Sequence, residues 1–335
     1  MIAANISPEF IALFRQKADA AGRMTFARFM ELALYDPQAG YYRRDQTRVG
    51  YAIGTDFFTA STSCPVFGEL IVAACVSLLE GQDPRAFKFI EIGAEPDRDV
   101  LSGISHPFGG VHTIRLGEPM EFSGRCVVFS NELFDAQPCH RFVFRAGQWL
   151  ERGVALQDGM LVEIELPAAT ILFPLPPTAP EGYAFDAPWA AKILADRIAD
   201  QPWTGLFVAC DYGKTWLELA GHCPHGTARA YHRHTQSNEL LAHPGEQDLT
   251  CHICWDWLSE SLATHCFAVS AIESQEAFFV KQSKSYIAAT ISAEASRFSR
   301  KKQALLQLLH PSLLGQKFQV LHARRDQLCG TKKGV

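Results

Sequence analysis

Apolar residues recur at helical spacing near the start of the chain. Phe10, Leu13 and Phe14 follow Ser7-Pro8-Glu9, and Phe26, Phe29, Met30, Ala33 and Leu34 follow Thr25. Each set predicts an amphipathic helix opened by a hydroxyl cap. Val66 to Glu80 is apolar nearly all round, which predicts a buried helix beginning at Pro65. The pattern then shortens to compact apolar runs: Phe87 to Ile92, Val111 to Leu116, Cys126 to Ser130 and Gly205 to Cys210. These read as buried strands, and the first leads through Gly93 and a polar turn into a helix expected at Asp97 to Leu101. Between Val111–Leu116 and Cys126–Ser130 only residues 117–125 intervene, too few for a crossover helix, so a helix is missing there or the strand reading fails.

From His140 to Leu166 the period changes to that of a β-meander, with Ala146-Gly147 and Asp158-Gly159 as turns. A proline-rich stretch to Pro188 reads as a linker or lid, and Trp189 to Ile198 returns to helix. Ser285 to Leu309 predicts one long helix stopped by Pro311, and Lys317 to His322 a last edge strand. The expected organisation is an N-terminal helical region (1–85), an α/β core (86–280) with an insertion at about 140–188, and a C-terminal helix and strand (281–335).

The strand-turn-helix at 87–101 is the place where α/β folds seat nucleotide-like cofactors. Its turn holds one glycine, Gly93, followed by Ala94-Glu95-Pro96-Asp97. Pro96 has no N–H, and the carboxylates put negative charge where an anionic ligand needs donors. Residue chemistry alone favours a plain strand-to-helix connection.

Composition narrows the classes. In 335 residues, 47% are hydrophobic and the net charge is −5, which suits a soluble globular chain and argues against a general nucleic-acid binder. The basic runs Arg297–Lys302 and Arg324–Lys333 read as solvated faces. No signal core or membrane-length apolar window is evident, so a cytoplasmic location is expected, with the ten cysteines as reduced thiols. Cys251-His252-Ile253-Cys254 reads as a strand that splits its thiols between two faces, so no metal is expected.

Three polar blocks carry candidate chemistry. Ser130-Asn131-Glu132-Leu133-Phe134-Asp135 follows a strand, and can either orient a cationic nucleophile or simply cap a helix. Asp211-Tyr212-Gly213 ends the next strand in the same manner. Arg229 to His234 and His243 to Thr250 concentrate histidines and charges in loops, which favours a functional surface.

Taken in order, several blocks resemble the MidA family of class I methyltransferases: Phe26 to Met30, Tyr35-Asp36-Pro37 with Gly40-Tyr41-Tyr42, Asp56 to Thr59, Phe67 to Leu70, Ser130 to Pro138, Asp211 to Gly213, Arg229 to His234, His243 to Thr250 and His310-Pro311. The resemblance implies a Rossmann-like α/β sheet with helices on both faces, an N-terminal helical region and an inserted β-meander. It also implies S-adenosylmethionine as cofactor and methylation of an arginine on a protein partner, and it leaves a homodimer open. Carried onto this chain, it assigns Glu132, Asp135 and Asn131 to catalysis and Glu91, Gly93 and Phe134 to the cofactor. His243, Gly245, Glu246 and Asp248 fall to the protein substrate. No nucleic acid or membrane partner is implied. The departures gather on the cofactor side: Glu95 and Asp97 stand where the family has glycines, Arg115 or Leu116 where it has an acid for the ribose, and Ser61-Thr62 for a Pro-Glu pair. Two expectations follow: a protein-arginine methyltransferase, or a silent relative that keeps only a partner surface.

Overall fold

A computed structural model describes residues 6–44, 65–96, 98–166, 173–296 and 299–329. The chain divides into two compact units that alternate along the sequence. One comprises Met1–Phe58, Phe134–Ile193 and Lys214–Cys254, the other Thr59–Leu133, Leu194–Gly213 and Trp255–Val335. The block Asp56 to Thr59 and the Ser61-Thr62 pair lie outside the described residues, as does Asp97.

In the first unit, helix α1 (Pro8–Lys17) starts where Ser7 Oγ accepts a hydrogen bond from the Phe10 amide at 3.1 Å. Helix α2 (Phe26–Tyr35) starts at Thr25, which receives the Arg28 amide in the same way. Their apolar stripes bury Phe10, Phe14, Phe26, Phe29 and Met30 in one cluster with Val154, Ala230 and Leu249. The meander forms as expected. His140–Arg145, Gln148–Gln157 and Met160–Leu166 pair antiparallel in sequence, and Ala184–Ala187 adds to the first of them. Both turns take positive φ at two successive residues, Ala146-Gly147 and Asp158-Gly159, the backbone that matches strand twist in a two-residue hairpin. A buried Arg141–Asp186 pair (2.8 Å) ties the meander internally, and Asp186 also accepts the Thr227 and Ala228 amides.

The second unit is built on a seven-stranded sheet: β1 (Lys88–Ile92), β2 (Gly110–Ile114), β3 (Gly124–Asn131), β4 (Trp203–Asp211), β5 (Ala268–Val269), β6 (Glu273–Ser274) and β7 (Gln319–Arg325). Across the sheet the order is β2-β1-β3-β4-β7-β5, with β6 also on β7. Strands β2, β1, β3 and β4 are mutually parallel, and β7 is antiparallel to β4. Helices α3 (Val66–Leu78), α6 (Gln275–Gln282) and α8 (Arg300–Leu309) pack one face, setting Phe67, Phe279 and Leu305 against Phe89, Phe129 and Val208. The alternate residues Phe207, Ala209 and Leu321 point the other way and are equally buried. On that side the Trp203 indole donates to Ile198 O, in the last turns of α4 (Trp189–Asp200), and stacks near Phe267, which follows α5 (Trp255–Thr264). This is a Rossmann-like α/β sheet with helices on both faces.

Four expectations change. The helix expected at Asp97 to Leu101 does not form, and successive turns occupy its described part, with Ser102 bonded back to Asp99 and Ile104 to Leu101. Only a few residues separate Pro96 from Gly103, which turns into the left-handed region at φ +70, and Asp, Val and Ser between them are poor helix formers. The long C-terminal helix is two helices, α7 (Lys284–Ala293) and α8, with α7 ending in turns at residues 294–296 and Ser299 capping α8. The last strand is not an edge, because β7 has partners on both sides. Around Cys251 the predicted strand is two short ones, Asp248–Thr250 and Ile253–Cys254, and Trp255 opens α5. As the short spacing implied, the β2–β3 connection carries no helix.

Candidate functional site

In open α/β sheets ligands bind at the carboxyl ends of the strands, where the strand order reverses. Here that point lies between β1, which continues to β2 on one side, and β3 on the other. Gly93 closes β1 with φ +84, and its amide donates to Ile114 O. A side chain on Gly93 would place its Cβ 2.6 Å from Leu133 Cδ1, so the surface that glycine leaves open is filled by Leu133. Glu91 is buried on β1 and receives the Val100 amide on Oε2 at 2.8 Å. Burial pushes its carboxyl up to about 7, despite the Val100 hydrogen bond, and Asp99 adds to the rise. Arg115 follows β2 and spends its Nε on the carbonyl of Glu95 at 3.2 Å, across the turn.

At the end of β3 the polar residues are costly ones. Ser130 Oγ and Asn131 Oδ1 are buried and have no hydrogen-bond partner among the described residues. Asn131 Nδ2 donates to Glu132 Oε1 at 2.9 Å, and Glu132 sits in the left-handed region at φ +50 with its amide on Cys210 O. A non-glycine residue held there costs of order 1–3 kcal/mol. No helix starts at Asn131, so capping does not explain the block.

The remaining candidates belong to the other unit. Phe134 is fully buried there. Asp135 is buried, and its carbonyl accepts the Cys251 amide. Asp248 accepts a hydrogen bond from Tyr42 Oη at 2.8 Å, and the Tyr42 ring stacks on Tyr35 with centroids 5.5 Å apart. Tyr35 Oη in turn donates to Ala136 O at 2.9 Å. Burial raises both phenols, and the charges of Asp248 and Asp135 add to it, so two carboxylates and two rings share one environment. Glu246 pairs with Arg44 at 3.4 Å, and the His243 ring lies 4.7 Å from that of His232. Gly245, at φ +76, has its Cβ position 2.2 Å from Ala39 O, so only glycine lets the 243–248 loop lie on the 36–44 loop. Sequence reasoning missed Tyr35 and Tyr42 as members of this cluster, and Leu133 and Val100 around Gly93, while it singled out Arg115 on the cofactor side. The Tyr41-Tyr42 doublet was a signal for the first pair; the others carry none.

A sulfonium nucleoside with an amino-acid tail needs backbone donors, a helix N-terminus and an acid for its ribose. Among the described residues the turn after β1 supplies no helix N-terminus, and its Gly93 and Arg98 amides are bonded to Ile114 O and Glu95 O. Its helix is absent, Glu91 is engaged by Val100, the flank of Gly93 is taken by Leu133, and a guanidinium follows β2. Among the described residues, those around the turn do not fit the group.

Comparison with known proteins places the chain all the same. A family described as "putative S-adenosyl-L-methionine-dependent methyltransferase" matches residues 112–272. The mitochondrial protein arginine methyltransferase NDUFAF7 of Mus musculus is 22% identical over 378 residues, covering 90% of this chain and 81% of the mouse protein. A crystal structure from Burkholderia thailandensis, described as a "COG1565 superfamily member and likely methyl transferase" bound to S-adenosyl-homocysteine, superposes with a TM-score of 0.81 at 23% identity, covering 98% of this chain and 97% of the other. A native structure of an uncharacterized protein from the same bacterium gives 0.77 at 23%, with coverages of 95% and 94%. S-adenosylmethionine is the family's cofactor. The chain therefore carries the fold of S-adenosylmethionine-dependent methyltransferases and is similar to the MidA-type family of these enzymes.

Proposed function

We propose that this chain is a partner-binding member of the family in which the cofactor cradle has closed, so that it holds a protein without transferring a methyl group. One observation carries the reading: among the described residues the turn after β1 leads into no helix, and Glu91, the Gly93 amide and the Glu95 carbonyl are engaged by Val100, Ile114 and Arg115. The partner is a protein because the mouse relative is by name a protein arginine methyltransferase. The Asp135, Asp248, Tyr35 and Tyr42 cluster suits a cationic side chain, since buried carboxylates and ring faces both favour positive charge.

A second reading is methyl transfer to a protein arginine. It is supported by the unsatisfied polar atoms of Ser130 and Asn131 and by the left-handed Glu132, features that cost stability and cluster at working sites. A carboxylate at that strand end can orient a guanidinium, whose pKa above ~12 otherwise keeps it fully protonated. Ultraviolet cross-linking of methyl-labelled S-adenosylmethionine to the purified full chain separates the two. The first reading expects no label above an irradiated control. Label in the peptide spanning residues 88–96 supports the second.

A further inference from the structure

Cysteines were expected to be reduced, yet Cys266 and Cys329 are joined, closing a separation of 63 residues. Both are exposed, whereas among the described free cysteines all are buried except the half-buried Cys223. We propose that this pair is a reversible thiol–disulfide site, opened by a thiol or dithiol reductant and reclosed by a low-molecular-weight disulfide, independently of any methyl transfer.

Two placements support it. The first is Cys266 itself. Helix α5 ends with the Phe267 amide on Leu262 O and the Cys266 amide on Ala263 O, a Schellman motif in which Cys266 holds the left-handed position at φ +65. That position is ordinarily glycine, because a Cβ is disfavoured there. A cysteine there is a conformational cost that the cross-link explains.

The second placement is Arg325, which anchors the end of β7 without help from the disulfide. Its guanidinium donates to Trp203 O, Ala199 O, Gln201 O and His265 O, and it stacks on Phe267 at 4.4 Å. Strand β7 also keeps a partner on each side. Opening the disulfide therefore frees Gln327–Cys329, beyond the Arg324–Asp326 pair, while the sheet stays intact. An exposed bond with so little structure depending on it belongs to the labile class rather than the structural one. The step balances as one disulfide and two thiols exchanging two electrons and two protons. The chain gains two thiols, and the reductant becomes a disulfide.

The test is alkylation of the native full chain in graded reduced and oxidised glutathione, read by peptide mass, with near-ultraviolet circular dichroism as the fold control. The expected result is paired labelling of Cys266 and Cys329 under mild reduction, unchanged dichroism, and loss of labelling on reoxidation. Cys266→Gly adds a readout that a purely structural bond does not give. It melts below the wild type in oxidised buffer and above it in dithiothreitol, because glycine relieves the left-handed position once the cross-link is gone. Resistance to millimolar dithiothreitol under native conditions, unfolding on reduction, or a Cys266→Gly variant that melts lower in both buffers overturns the proposal.

Discussion

Glu91 offers the sharpest test of how the turn after β1 is built. Its carboxyl rises from 4.5 to about 7 because burial outweighs the Val100 hydrogen bond. An acid with a raised folded pKa binds more protons folded than unfolded. Its contribution is thus fully present below pH 4.5 and is lost as pH climbs to 7. At about 1.4 kcal/mol per pH unit, the loss comes to about 3 kcal/mol. Glu91→Gln keeps an oxygen for the Val100 amide and removes the charge, so it gains on the wild type across that window. Urea unfolding followed by tryptophan fluorescence at pH 5, 6, 7 and 8 gives the two free energies. The variant is expected to be nearly equal to the wild type at pH 5 and more stable by about 2–3 kcal/mol at pH 8, with the gap flat above pH 7. A gap independent of pH refutes the reasoning, and so does one that opens in the wild type's favour. Either means that Glu91 ionises normally among donors, as it would in an open cradle.

Other substitutions probe the framework. Gly68→Ala sets a Cβ 2.1 Å from Val100 O and 2.3 Å from Ile104 Cδ1, overpacking α3 against the segment that Glu91 holds. A loss of about 2–3 kcal/mol is expected, read as a melting-temperature drop of roughly 5–10 °C. Asp186→Ala leaves Arg141 Nε, whose guanidinium then keeps its Glu163 pair, and two buried amides without an acceptor, which costs about 3–5 kcal/mol in urea unfolding, and Asp186→Asn costs less. His252 is mostly desolvated, and with Lys214 and Arg229 nearby its pKa falls to about 4. Its contribution to stability is present above pH 6.5 and is lost as pH falls through 4, so its imidazole resonances should stay neutral down to about pH 5 in an NMR titration.

Short-range features could be read from the sequence because they are written in adjacent residues. Ser7 and Thr25 cap their helices, Asp158-Gly159 turns its hairpin, and the nine residues 117–125 correctly leave no room for a helix. Features decided by distant partners could not be read. Asp97 and Leu101 look like a helix start, but Val100 bonds Glu91 and Gly103 turns left-handed, so turns prevail. Strand β7 looks like an edge until Ala268–Val269 and Glu273–Ser274 pair with it. Cys266 and Cys329 are too far apart in sequence for any spacing rule to join them. In the candidate site, the acids were legible as a class of residue. That Asp248 meets Tyr42, and that Leu133 fills the flank of Gly93, depends on loops folding against each other.

The proposed function rests on closure of the strand end beside Gly93 against S-adenosylmethionine. Isothermal titration of the full protein with S-adenosyl-homocysteine measures it directly. A closed cradle gives no saturable heat up to about 1 mM ligand, a binding energy weaker than about −4 kcal/mol. A one-to-one isotherm with a micromolar dissociation constant contradicts it.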